Sequence, residues 1–143
     1  MRKDKTSSGD SSMLISTKTR YGLRALIDLI INYKDKPIYL KEIAKRQHIP
    51  LRYLENIFLK LKNQGIVKSY KGKGGGFVPE KDTSNITLFD LISLLENKRT
   101  LSECITEPLK CDLSKDCKTR ELWVKLEKSI NEKLESITID TLI

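Results

Sequence analysis

Between Leu40 and Glu80 the apolar pattern changes period once, at Gly65, and this change restricts the fold more than any other feature of the chain. Before it, apolar residues recur three and four positions apart: Leu40, Ile43 and Ala44, then Leu51, Leu54, Ile57, Phe58 and Leu61. That is the spacing of one face of an α-helix. After it come two short extended runs, IVKSY (66–70) and GFVPE (76–80), joined by KGKGG. Glycine accepts positive φ at no steric cost, so the joining stretch is expected to turn. HIP (48–50) separates the two helices, with Pro50 suited to a helix start and Gly65 to the left-handed residue that ends one. Upstream, Ser16 to about Tyr33 predicts another helix, with Leu23, Leu26, Ile27, Ile30 and Ile31 on one face and Ser16 or Thr17 as its cap. Pro37 breaks it. Three helices followed by a two-stranded ribbon is the element order of a winged helix-turn-helix.

Downstream, ITLFDLISLLE (86–96) predicts a fourth helix, with Thr87 and Asp90 at capping-box spacing. TRELWVKLEKSINEKLESI (119–137) predicts a long amphipathic helix. Its stripe, Trp123, Leu126, Ile130, Leu134 and Ile137, must bury against something, either a second copy or the rest of the same chain. The expected class is therefore mainly α with a small β-ribbon. A winged helix-turn-helix spans 13–81, and 82–143 supplies a helix, a cysteine loop and the long helix. Residues 1–12 lack apolar periodicity and are expected to be a disordered tail or an expression remnant.

The 143 residues carry a formal charge of +8, unevenly spread. Residues 1–81 hold 18 Lys/Arg against 7 Asp/Glu, whereas 82–143 hold 9 against 12. A basic front half suits a polyanion, though an ordinary lysine-rich surface has the same composition. No apolar run approaches the roughly 18 residues needed to cross a bilayer, and no signal peptide is visible. The expected setting is cytoplasmic, with no membrane partner and reduced thiols.

In a helix-turn-helix, the helix after HIP presents its N-terminal residues to base edges in the major groove of double-stranded DNA. Its outward positions are Arg52, Tyr53, Glu55, Asn56 and Lys60. Arg52 suits guanine, Asn56 adenine, and Glu55 the cytosine amino group. Lys68, Lys71 and Lys73 surround the glycine turn, where a thin basic hairpin can follow phosphate. His48 stands where such turns often carry glycine. GKGGG lacks the GK[ST] ending and following helix of a nucleotide-binding loop. With one histidine, no C-x-x-C pair and no Ser/His/Asp set, an enzyme is not expected. A winged helix that binds a protein is the rival reading.

All three cysteines, Cys104, Cys111 and Cys117, fall in one polar stretch, CITEPLKCDLSKDC. Three is odd for disulfides and one short of a closed tetrahedral metal site. Zinc with a further ligand, a thiol switch and inert thiols all fit the count.

ISTKTRYGLRAL (15–26), YLENIFLKLKNQGIVKS (53–69), GGGFVP (74–79), LWVKLEKSINEKLESITIDTL (122–142) and the cysteine trio occur in an order that resembles the Rrf2 family of bacterial winged-helix transcriptional regulators. The resemblance implies a homodimer on a partly palindromic operator, with the long helix as the dimerisation helix and Trp123, Leu126, Ile130, Leu134 and Ile137 in the interface. It assigns base reading to Glu55 and Asn56, another helix contact to Arg52, and the wing to Lys71 and its neighbours. It also implies an iron–sulphur cluster, 2Fe–2S or 4Fe–4S, on Cys104, Cys111 and Cys117, which need not be retained in every preparation. Thiolate is the ligand chemistry such clusters require, and Lys110, Lys115 and Lys118 can offset their charge. Some cluster-binding members supply a histidine three residues after the last cysteine, where this chain has Arg120. Others use an N-terminal aspartate, where it has Arg20. Glu103, Glu107, Asp112, Asp116 and Glu121 are the nearby oxygen donors. The implied function is sensing of iron–sulphur status, nitric oxide or redox stress. Members without the trio are regulated otherwise, so a cysteine-metabolism-type regulator under a protein partner is the alternative.

Overall fold

The structure is a computed structural model that describes residues 15–97 and 99–143; the expected tail at 1–12 lies outside them. Helix α1 spans Thr17–Asn32, α2 Leu40–Gln47 and α3 Leu51–Asn63. Strands β1, Val67–Tyr70, and β2, Gly76–Pro79, pair antiparallel with Val67 opposite Pro79 and Tyr70 opposite Gly76. Then come α4, Leu88–Leu95, the short α5, Glu103–Thr106, and the long α6, Lys118–Ser136. The winged helix-turn-helix order predicted from the sequence is therefore present.

Local chemistry accounts for most boundaries. Ser16 caps α1, its hydroxyl accepting from the Thr19 N–H at 3.2 Å. Thr87 and Asp90 exchange reciprocal bonds at 3.0 Å across the start of α4. Gly65 ends α3 with φ of 74°. His48 closes α2 in the left-handed region (φ 55°, ψ 45°), which explains why glycine is common at that turn. The fourth helix begins at Leu88 rather than Ile86, because Ile86 runs extended and its carbonyl accepts from Ile139 at 2.9 Å.

One apolar core joins these elements. Leu26, Leu29, Ile43, Leu54, Phe58, Leu61, Leu95 and Ile139 are all within 1% of complete burial. Two expected inward positions differ. Ile31 is 52% exposed, since it lies about 140° round the helix from Leu26. The stripe of α1 that is buried runs through Gly22, Ala25, Leu26 and Leu29, with Leu23, Ile27 and Ile30 packed at its flanks. Leu51 is 38% exposed, because it opens α3 beyond the edge of the core. Gly22 is small for a packing reason: a Cβ there would stand 2.6 Å from Leu95 Cδ1 and 3.1 Å from Ile57 Cγ2. Ile139 follows α6 and returns the C-terminal segment to this core, and the Leu88 N–H donates to the Ile137 carbonyl at 2.8 Å.

Asp28 is the buried charge of the core edge, with its side chain 3% exposed. It accepts from Arg46 Nε at 3.1 Å and Gln47 Nε2 at 2.7 Å, tying α1 to α2. Burial alone would raise its pKa, but the bonds from Arg46 and Gln47 and the Arg46 charge outweigh burial and hold the carboxyl below the usual aspartate range. Its contribution to stability is thus complete above about pH 4, the unfolded value, and disappears as pH falls through the lower folded value. Asp28→Asn is expected to cost about 2 kcal/mol at pH 7. Urea midpoints of variant and parent should converge below pH 4, with little gap left at the acid end.

Candidate DNA interface and cysteine loop

Helix α3 stands on the core through Leu54, Ile57, Phe58 and Leu61, which are buried along its length. This fixes its opposite face outward. Arg52, Tyr53, Glu55 and Asn56 are exposed and Lys60 is half-buried. Arg52, Glu55 and Asn56 make no side-chain hydrogen bond or ion pair among the described residues, so their donors and acceptors remain free for an outside partner. Tyr53 is held differently: its ring meets Tyr21 of α1 edge-on, centroids 5.4 Å apart, leaving the phenol at the surface.

The wing extends from the same module. Lys68, Lys71 and Lys73 are all exposed, and the Lys68 ammonium lies 5.4 Å from the Tyr70 ring centre. Two tethers set the pose of the ribbon. Ile38 and Phe77 exchange backbone bonds at 2.9 and 2.8 Å, an isolated antiparallel bridge that ties β2 to the segment before α2. The Gly74 N–H donates to the Tyr39 hydroxyl at 2.9 Å. Phe77 also packs edge-on against Phe58 at 5.0 Å, linking wing and recognition helix. Not all the ribbon glycines are free for an outside backbone to approach. A Cβ at Gly76 would collide with the Ile38 backbone, and one at Gly75 with the Tyr70 carbonyl. These two serve close approaches within the chain. Sequence reading missed Tyr39, because its partner is 35 residues away and no local pattern marks the pair.

The cysteine segment is not a plain loop. Cys104 lies within α5, Cys111 follows a 3-10 turn, and Cys117 is the residue capping α6. All three thiols are free, with Cys111 the exposed one. Cys104 Sγ is 3.1 Å from the Ser102 hydroxyl and Cys117 Sγ 3.0 Å from that of Thr119. The Thr119 hydroxyl first, then the Arg120 backbone N–H, hold the Cys117 thiol below its ordinary value. Arg120 donates from Nε to the Cys104 carbonyl at 2.9 Å. Lys110 pairs with Glu107 at 3.0 Å and Glu103 at 3.7 Å, so those charges largely satisfy one another instead of standing free for a cluster or a metal. Among the described residues no three His, Cys, Asp or Glu side chains converge on a metal position. The donor type suits an iron–sulphur cluster; the donor number and arrangement seen here do not make a closed site for one.

Helix α6 has no buried residue. Ile130, Leu134 and Ile137 are half-buried on the half of the helix nearest its C-terminal end, where α6 packs against α4. Two polar ties reinforce that contact: Arg99 donates to Asn131 at 2.6 Å, and the Leu101 N–H to Glu127 at 2.7 Å. Toward the N-terminal half, Trp123 and Leu126 are 37% and 44% exposed, and they are joined by exposed Leu122 and Val124. The stripe expected from the sequence is thus shared, its lower half covered within the chain and its upper half open. The last two residues were not in the expected stripe, which followed a single 3-4 spacing on a helix whose apolar band is wider. No described helix is long and apolar enough to cross a membrane.

Comparison with known proteins agrees with this architecture. Residues 15–143 match the Rrf2 family, described as an iron-dependent transcriptional regulator. The IscR transcriptional regulator of Klebsiella pneumoniae is 33% identical over 131 residues, covering 92% of this chain and 80% of that protein. Among solved structures, T. potens IscR is 35% identical with a TM-score of 0.72, over 90% of this chain and 85% of that one. CymR, the global cysteine regulator of B. subtilis, is also 35% identical with a TM-score of 0.72, over 90% and 95% of the two chains. The chain therefore belongs to the Rrf2 family of helix-turn-helix transcriptional regulators, which are not enzymes.

Proposed function

We propose that the protein acts as a homodimer that reads a partly palindromic DNA duplex, and that its cysteine segment is the sensing element. Residues 13–81 form the DNA module and residues 82–143 the sensing and pairing part. The observation that carries this reading is the free polar face at the start of α3. Arg52, Glu55 and Asn56 project from the outer face of a helix anchored in the core, with no side-chain partner among the described residues, beside a ribbon bearing three exposed lysines. Arg52, Tyr53, Glu55 and Asn56 face base edges, and Lys60, Lys68, Lys71 and Lys73 face phosphate. Two copies joined through the upper half of α6 bring their recognition helices to successive major grooves, about 34–36 Å apart.

Titrating a mixed-sequence duplex of about 30 base pairs at several salt concentrations tests the reading. Log affinity should fall linearly with log salt, with a slope near −0.9 per phosphate neutralised. Negligible binding at every salt concentration would favour a protein-interaction module instead.

For the signal, the reading is iron–sulphur status, nitric oxide or redox stress sensed at Cys104, Cys111 and Cys117. When bound, a cluster would supply redox and nitric-oxide-reactive iron; the three thiols are the only cysteines of the chain and the ligand type such clusters take. Anaerobic purification with an absorption spectrum and iron and sulphide analysis decides this point. A colourless, iron-free protein from iron-replete cells would shift the assignment to zinc, to a thiol switch or to control by a protein partner. The ungathered thiols and the likeness to CymR favour partner control as the second reading.

A further inference from the structure

Where α1 begins against the side of α3, a groove of about 340 Å³ is lined by Lys18, Tyr53, Asn56, Lys60 and Asn63, with Ile57 and Leu59 as its apolar wall. Tyr53, Asn56, Lys60 and Asn63 recur at spacings of 3, 4 and 3, so they form one continuous strip along α3. Lys18 reaches that strip from the first turn of α1. Both lysines are half-buried, and neither forms an ion pair with a described residue. The Lys60 ammonium is held below its ordinary pKa, by burial first and by the charge of Lys18 second. Two cations thus share a partly desolvated groove and repel one another. Lys18 is attracted to the Glu96 carboxylate, but that group also accepts from the Ser16 N–H and the Thr19 hydroxyl and makes no ion pair with Lys18. Such an arrangement costs stability in the free protein, and an anion between the two ammonium groups removes the cost.

We infer that Lys18 and Lys60 form a phosphate cradle, with the Asn63 amide as a neutral donor, and that its ligand is one phosphodiester of the DNA backbone. This rests on the DNA-binding reading above. The location suits it. Lys60 lies eight residues beyond Arg52, about 12 Å along the helix axis, which is comparable to the width of the major groove. With Arg52 among the bases, the Lys18–Lys60 end meets the strand that walls the groove. Lys18 thereby gives α1 a role in DNA binding beyond supporting the core, and it fixes the angle at which α3 enters.

Binding of a mixed-sequence 30-base-pair duplex by the full chain, over a series of salt concentrations, tests the cradle. Lys18→Gln and Lys60→Gln should each weaken binding several-fold. The double variant should weaken it about tenfold, equally for all sequences, and make the salt slope shallower by about 1. The same double variant should melt at or above the parent temperature, since a repulsive pair is gone; a merely structural pair would lower it. Parent-like affinity and slope in the double variant, with the parent binding DNA steeply, would overturn the cradle and leave the DNA-binding reading intact. A second arm compares melting in inorganic phosphate and in chloride at equal ionic strength. If phosphate protects only the parent while DNA binding is unchanged in the double variant, the groove takes a free anion and the phosphodiester assignment fails. A parent that binds no duplex at any salt concentration would overturn the DNA-binding reading itself, and the phosphodiester with it.

Discussion

Replacing Trp123 and Leu126 together by glutamate is expected to yield a folded monomer that binds a palindromic duplex at least a hundredfold more weakly than the parent. The two positions are 37% and 44% exposed on a helix with no buried residue, so the substitution should cost the single chain about 1–3 kcal/mol and leave it folded. In the proposed dimer the same side chains are desolvated, and two pairs of like charge would face one another across the seam. Pairing makes the second half-site contact intramolecular, an advantage of about 10²–10⁴ that a monomer forfeits. Sedimentation or light scattering reports the mass, and anisotropy with single and paired half-sites reports the binding. If mass stays dimeric while the chain remains folded, the open half of α6 is not the seam. Substituting Ile130 or Leu134 would be a poorer test, because both also pack within the chain and the result would mix folding with association.

Phe58→Ala is expected to cost about 3–5 kcal/mol, a large share of the roughly 5–15 kcal/mol that holds a domain folded. Phe58 is fully buried at the centre of α3 and packs edge-on against Phe77 of the wing, centroids 5.0 Å apart. Removing the ring leaves a cavity in a close-packed core. The wing also loses one of its three attachments; Tyr39 and the Ile38 backbone remain. Denaturant melting should show the large loss, and hydrogen exchange should show that β1 and β2 open before α1. Phe58→Leu fills most of the space and should retain more than half of the lost stability. A loss below 1 kcal/mol for the alanine variant would show that the core re-collapses around the site.

The helices were legible because each carries its own punctuation. The capping box of Thr87 and Asp90, the Ser16 cap and Gly65 act within three or four residues, and a sequence displays neighbours of that kind directly. Facing was less legible where a helix is apolar over most of its circumference. In α1, Leu23, Ile27, Ile30 and Ile31 satisfy the same period as the stripe that is buried, and only the neighbours choose between them. The free face of α3 was readable, because burial of Leu54, Ile57, Phe58 and Leu61 leaves Arg52, Glu55 and Asn56 nowhere else to point. The cysteine spacing announced thiolate chemistry but not the hydrogen bonds that occupy Cys104 and Cys117, nor the turn of helix that carries Cys104.

The sequence by itself determined the order of elements, the charge asymmetry and the outward side chains of the recognition helix, because all three follow from local periodicity and composition. Only the tertiary structure decided that Ile139 closes the core from the far end of the chain, that Asp28 joins α1 to α2, that Tyr39 tethers the wing, and that Lys18 stands beside Lys60. Each of these pairs residues separated by 18 or more positions. Such contacts are set by which surfaces pack, and a periodic pattern states that a face must be covered without stating by what.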